Sequence, residues 1–223
     1  MNADMILTLM IVLVTISFLI DLISGVLNYL DFDKKLPENV SDIYDEKEYK
    51  KSQLYKKENF RFNLFSSSLG FVLMILILNY GLLGDLDSFL RTVSPENEIT
   101  LSLLFFGSIF IINDILTLPL QLYRVFIIEE NFGFNKMSLW TFILDKFKSY
   151  IITIIFGLIL LVPLLIFIML YPSDFWIYFW IVVSLFVVFI NMFYTSLIVP
   201  LFNKLRVLEN GDLRDKLNSF AKK

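Results

Sequence analysis

Apolar residues fall in five long blocks along this chain, at about 5–30, 64–83, 99–128, 148–171 and 175–202, with shorter polar connections between them. A hydrocarbon core of about 30 Å takes roughly 20 apolar residues to cross as a helix. Inside a bilayer no water satisfies the backbone, so each block must be helical. The pattern predicts an all-α, polytopic membrane protein with five transmembrane helices. The first block follows Met1-Asn2-Ala3-Asp4-Met5, which carries no positive charge, and it is too long for a signal-peptide core. An uncleaved first span is expected.

Polar residues inside the blocks recur at helical spacing. Ser17, Asp21, Ser24 and Asn28 share one face of span 1, and Asp114, Thr117, Gln121 and Arg124 share one face of span 3. Ser184, Asn191 and Thr195 form a similar stripe on span 5. A charge at bilayer depth costs several kcal/mol unless it meets water or a partner. These faces are therefore expected to line an interior chamber; hydrogen bonding between helices of a dry bundle is the alternative. Asp114 and Arg124 are ten residues apart, about 15 Å along the axis, so they do not pair on their own helix. Pro119 between them removes a backbone bond and should bend the span.

The connections are unequal. Residues 31–63 form the one sizeable soluble segment before the tail, with a turn expected at Leu36-Pro37-Glu38 and a cytoplasmic helix from Asp45 into span 2, since 45–60 holds no Gly or Pro. Gly84–Glu98 reads as a short acidic outer loop, and Asn131–Asp145 as a cytoplasmic turn. Tyr171, Phe175, Trp176, Tyr178 and Trp180 surround Pro172-Ser173-Asp174 and mark the outer interface, with Trp140 a candidate anchor opposite.

Charge then orients the spans. Eight of the nineteen basic residues lie between spans 1 and 2, three between span 3 and the start of span 4, and six in the C-terminal tail, whereas the other two connections hold Arg91 alone. The positive-inside rule places the N-terminus outside and the C-terminus in the cytoplasm. Composition agrees with the membrane class, at 57% hydrophobic and 18% charged residues. The chain has no Cys, so disulfides are excluded and nothing follows about redox compartment. It also has no His.

Four blocks then stand in order. They are Lys51-Ser52-Gln53-Leu54-Tyr55, Ile128-Glu129-Glu130-Asn131-Phe132-Gly133-Phe134-Asn135-Lys136, Pro200-Leu201-Phe202-Asn203-Lys204, and Leu208-Glu209-x-Gly211-x-Leu213-Arg214. Together they resemble the N-terminal half of the type I CAAX prenyl proteases, which are integral-membrane zinc metalloendopeptidases. The resemblance implies seven membrane helices around a water-filled chamber, capped by a cytoplasmic protease domain that cleaves near the C-terminus of isoprenylated or membrane-associated substrates. It implies that residues 1–205 are the transmembrane domain and that 206–223 begin the protease domain. It also implies zinc in the full-length enzyme, bound by a His-Glu-x-x-His helix, which this chain lacks. No catalytic or metal residue is assigned here. Glu129, Glu130, Phe132, Gly133, Phe134, Asn135, Lys136, Pro200, Phe202, Asn203 and Lys204 are expected to be structural.

Two other readings compete: a complete, non-catalytic membrane protein on the same scaffold, and a small transporter using Asp21, Asp114 and Arg124. The expected partners are the lipid bilayer and, in the full-length enzyme, a peptide or prenylated protein; no nucleic acid is expected. The Ile, Phe, Asn and Lys bias points to a bacterial inner membrane, with the endoplasmic reticulum the place if the source is eukaryotic.

Overall fold

The computed structural model of the protein describes residues 2–30, 32, 45–94, 97–205, 208 and 210–221. The turn expected at Leu36-Pro37-Glu38, and Glu209 of the last block, lie outside them. Among the described residues every regular element is a helix. They are α1 (Ala3–Leu30), α2 (Glu46–Asn79), α3 (Leu82–Val93), α4 (Glu98–Tyr123), α5 (Leu139–Leu170), α6 (Phe175–Phe193), α7 (Val199–Phe202) and α8 (Asp212–Ala221). Wider π-helical turns continue α4 through Arg124–Glu129 and join α6 to α7 through Tyr194–Ile198. Five continuous stretches are long and apolar enough to cross a membrane: 3–30, 46–79, 98–129, 139–170 and 175–202.

Local chemistry sets the helix starts. Asp45 accepts from the Lys47 backbone N–H before α2, Asn97 accepts from Ile99 and Thr100 before α4, and Ser138 accepts from Thr141 before α5. The stop after α2 differs from the sequence expectation. The helix ends at Asn79, and Gly81 takes a left-handed φ of 67° that a side chain would resist. Helix α3 then runs over 82–93, taking the last two residues expected in span 2 and most of the segment expected as loop from Gly84. The reason is a one-sided apolar pattern, Leu82, Leu86, Phe89, Leu90 and Val93, that acidic content obscured. Arg91 on α3 meets Asp87 at 2.9 Å and Glu98 at 3.1 Å. These two carboxylates, Asp87 first, push its guanidinium above its already high ordinary pKa.

The chain divides into two compact units, residues 1–136 and 137–223. In the first, α1 packs along α2 through rings. Phe18 stacks on Phe71 at 4.4 Å and Tyr29 on Phe60 at 4.8 Å. Gly25 sits between these pairs, and a Cβ there would come within 2.8 Å of the Phe60 ring. Small residues permit this close approach of membrane helices. In the second unit α5 and α6 pack antiparallel, with Phe156 edge-on to Phe186 at 5.2 Å and Tyr178 beside Phe167 and Tyr171 near the turn. Among the described residues the buried apolar side chains are Leu78, Leu90, Leu101 and Ile128. Many other apolar side chains are exposed, as expected where lipid is the solvent.

Candidate functional site

The densest cluster of motif residues forms where α4 ends. Its last turns widen into the π-helical segment Arg124–Glu129, five residues after Pro119. Such widened turns are rare and concentrate at functional sites. Chain reversal follows at once. The Glu129 carbonyl accepts from the Phe134 and Asn135 N–H groups at 2.8 and 3.1 Å, and the Glu130 carbonyl accepts from Gly133 at 2.9 Å. Gly133 supplies the left-handed φ, 79°, that this tight exit needs.

The reversal is pinned to α2. Tyr55 Oη donates to Glu129 Oε1 at 2.6 Å. Phe132 and Phe134 meet the Tyr55 ring edge-on, with centroids at 5.2 and 4.9 Å. The Lys51 ammonium lies 5.9 Å from the Phe134 ring centre, within cation–π reach. One helical turn on, Asn59 Nδ2 donates to the Tyr55 carbonyl, and Phe62 stacks on Tyr123 at 5.6 Å. Ile128 closes the contact at 1% exposure. Two of the sequence blocks, Lys51–Tyr55 and Ile128–Lys136, therefore form one clasp. Within it Glu129, Phe132 and Asn135 are half-buried, whereas Glu130, Phe134 and Lys136 are exposed.

The third block lies in the second unit. Pro200 is the second residue of α7, which follows the π-helical turn Tyr194–Ile198, and at a helix start its missing N–H costs nothing. Phe202 ends α7 beneath Lys148, whose ammonium is 5.7 Å from the ring centre, and Asn203 and Lys204 follow exposed. A widened turn thus leads into each of these two blocks.

The polar stripes take two forms. On α4, Gln121 Nε2 donates to Thr117 Oγ1 at 3.1 Å, and Thr117 Oγ1 donates to the Asn113 carbonyl at 2.9 Å. Asp114, Thr117 and Gln121 are half-buried and Arg124 is exposed. On α1, Ser17, Asp21, Ser24 and Asn28 are all exposed, one residue round from the packed series Phe18, Leu22, Gly25 and Tyr29. On α6 and the turn after it, Asn191 and Thr195 are exposed, and Asn191 caps the Val187 carbonyl at 2.8 Å.

Sequence reasoning missed Gly25, Phe60 and Asn59. The available signal was Gly25 itself, the only glycine before Gly70.

The family described as CAAX prenyl protease N-terminal, five membrane helices, matches residues 26–204. The chain belongs to this family. A CAAX prenyl protease 1 homolog of Arabidopsis thaliana is 29% identical over 192 residues, covering 83% of this chain and 45% of that protein. The Homo sapiens homolog is 33% identical over 201 residues, covering 84% of this chain and 41% of that protein. The crystal structure of S. mikatae Ste24p is similar with a TM-score of 0.87 at 26% identity, covering 97% of this chain and 52% of that one. The chain thus spans less than half the length of these curated relatives. Membership makes it an integral, multi-pass membrane protein.

The zinc implied by the family resemblance does not fit the residues present. The sequence has no His or Cys, and among the described residues no three carboxylates converge on one point. Carboxylates alone would in any case suit Mg or Ca better than catalytic Zn. No metal-assisted step is assigned to these residues.

Proposed function

We propose that these 223 residues are the membrane-chamber domain of a zinc metalloendopeptidase that cleaves near the C-terminus of prenylated or membrane-associated substrates. The N-terminus faces outward and the tail inward, in line with the basic residues crowded into 34–61, 136–148 and 204–223. The clasp of Tyr55 on Glu129 then stands at the cytoplasmic rim, where it holds the α4 exit in a fixed shape. Asp114, Thr117 and Gln121, with the α1 series Ser17, Asp21, Ser24 and Asn28, supply polar lining to the chamber. Residues 206–223 open the cytoplasmic protease domain, and the His-Glu-x-x-His helix belongs to chain outside these residues.

The observation that carries the reading is the family match over 26–204 in a chain without a single His or Cys. Its test is made on the native protein, extracted from its own membranes. Intact mass is measured, together with cleavage of a farnesylated peptide ending in a CAAX sequence, with and without a zinc chelator. The expected result is a mass well above 26.2 kDa and cleavage that the chelator abolishes. A 26.2 kDa species with no cleavage would instead favour the non-catalytic scaffold.

A further inference from the structure

Helix α3 is amphipathic and tied at both ends to membrane spans. Two residues separate it from α2 and four from α4, so the chain gives it little room to leave the bilayer boundary. Packing fixes its height further. Leu90 on α3 is 6% exposed and Leu101, in the first turn of α4, is 4% exposed, and α3 touches both α2 and α4. The helix therefore lies level with the first turn of α4.

Its apolar arc is wider than the bundle uses. Leu90 is buried and Leu86 half-buried, while Leu82, Phe89 and Val93 form a second strip at i, i+7 and i+11, exposed by 47, 63 and 62%. Asp85, Ser88 and Thr92 flank that strip and are exposed. We propose that α3 lies in the plane of the membrane interface, with Leu82, Phe89 and Val93 inserted between the acyl chains of a zwitterionic lipid surface. Continuity with the spans on both sides names the occupant, because the strip emerges where lipid already covers α2 and α4. Charge sets the lipid class. The one base, Arg91, is held by Asp87 and Glu98, and Asp85 adds another negative charge. The helix thus lacks the Lys/Arg-rich face by which interfacial helices bind anionic lipid. The inference holds whichever side of the membrane α3 occupies.

The chain contains no Cys, so single substitutions give unique labelling sites. Leu82→Cys, Phe89→Cys and Val93→Cys are compared with Ser88→Cys and Thr92→Cys in the full chain, each carrying an environment-sensitive fluorophore, in phosphatidylcholine nanodiscs. At 82, 89 and 93 we expect blue-shifted emission, loss of intensity with acyl-chain nitroxide lipids, and little loss with aqueous iodide. At 88 and 92 the two quenchers should exchange roles. Equal iodide quenching at all five sites would overturn the proposal. So would shielding of 82, 89 and 93 from both quenchers, which would mean a protein cover. Insertion that appears only when phosphatidylglycerol is added would overturn it as well, by showing headgroup charge to be the attraction.

Discussion

Tyr55 and Glu129 are 74 residues apart in sequence, and a 2.6 Å hydrogen bond joins the base of α2 to the last residue of the π-helical turn after α4. Glu129 uses both ends of its structure here: its side chain accepts from Tyr55, and its carbonyl accepts from Phe134 and Asn135. Tyr55→Phe removes the hydroxyl while keeping the ring between Phe132 and Phe134. A hydrogen bond to a charged group contributes about 1–2 kcal/mol at such a half-buried site. The expected outcome is a lower melting temperature in detergent and faster protease nicking at 131–137. Glu129→Gln keeps a neutral acceptor and should cost less. Unchanged nicking in Tyr55→Phe would show that the rings alone hold the loop.

Gly25 and Phe60 supply the second prediction. A methyl group on Gly25 would stand 2.8 Å from the Phe60 ring edge, so the ring must move off Tyr29 to admit it. Overpacking of this kind costs about 1–3 kcal/mol. Gly25→Ala should therefore lower stability, and Gly25→Ala combined with Phe60→Leu should lose less than the sum of the two single changes. Strictly additive losses in thermal unfolding would place the clash elsewhere.

These two contacts mark the boundary of what the sequence discloses. Runs of apolar residues announce the five long helices, because length and hydropathy are local properties. Spacing of three and four places Thr117 and Gln121 on one face, and a hydrogen bond joins them there. The order of motif blocks discloses the family. Nothing local pairs Tyr55 with Glu129 or Gly25 with Phe60, since each pairing depends on how distant helices cross. The widened turns at 124–129 and 194–198 are invisible for a related reason: their residues, Arg-Val-Phe-Ile-Ile-Glu and Tyr-Thr-Ser-Leu-Ile, suit an ordinary helix as well. Helix α3 was legible in its apolar spacing, but Asp85 and Asp87 made the segment look like a loop.

Gly133 tests backbone demand apart from packing. Its φ is 79°, and the nearest neighbour of a methyl group added there would be the Lys51 ammonium at 3.9 Å, the mobile end of a long side chain. Space is therefore available and conformation is the constraint. Left-handed backbone costs about 1–2 kcal/mol for an ordinary residue and less for Asn. Gly133→Val should destabilise the clasp more than Gly133→Ala, and Gly133→Asn should be mildest. An order following side-chain volume alone, with Asn as harmful as Val, would show steric crowding to be the cause.

The chamber proposal predicts a labelling pattern on α4. With no native Cys, single cysteines in place of Asp114, Thr117 and Gln121 can be compared with one at Ile115, which is 63% exposed and lies about 100° round the helix from Asp114. If the polar stripe faces water, a small hydrophilic thiol reagent should modify the first three quickly and Ile115→Cys slowly, since a thiol in lipid stays protonated and unreactive. Asp114→Leu should slow labelling at 117 and 121 by drying that stretch of wall, while reporters on the two termini keep their sides of the membrane. Polar residues in a dry bundle would instead satisfy one another, as Gln121 and Thr117 partly do. In that case all four cysteines would be equally sealed, and the stripe would be glue between helices rather than the lining of a chamber.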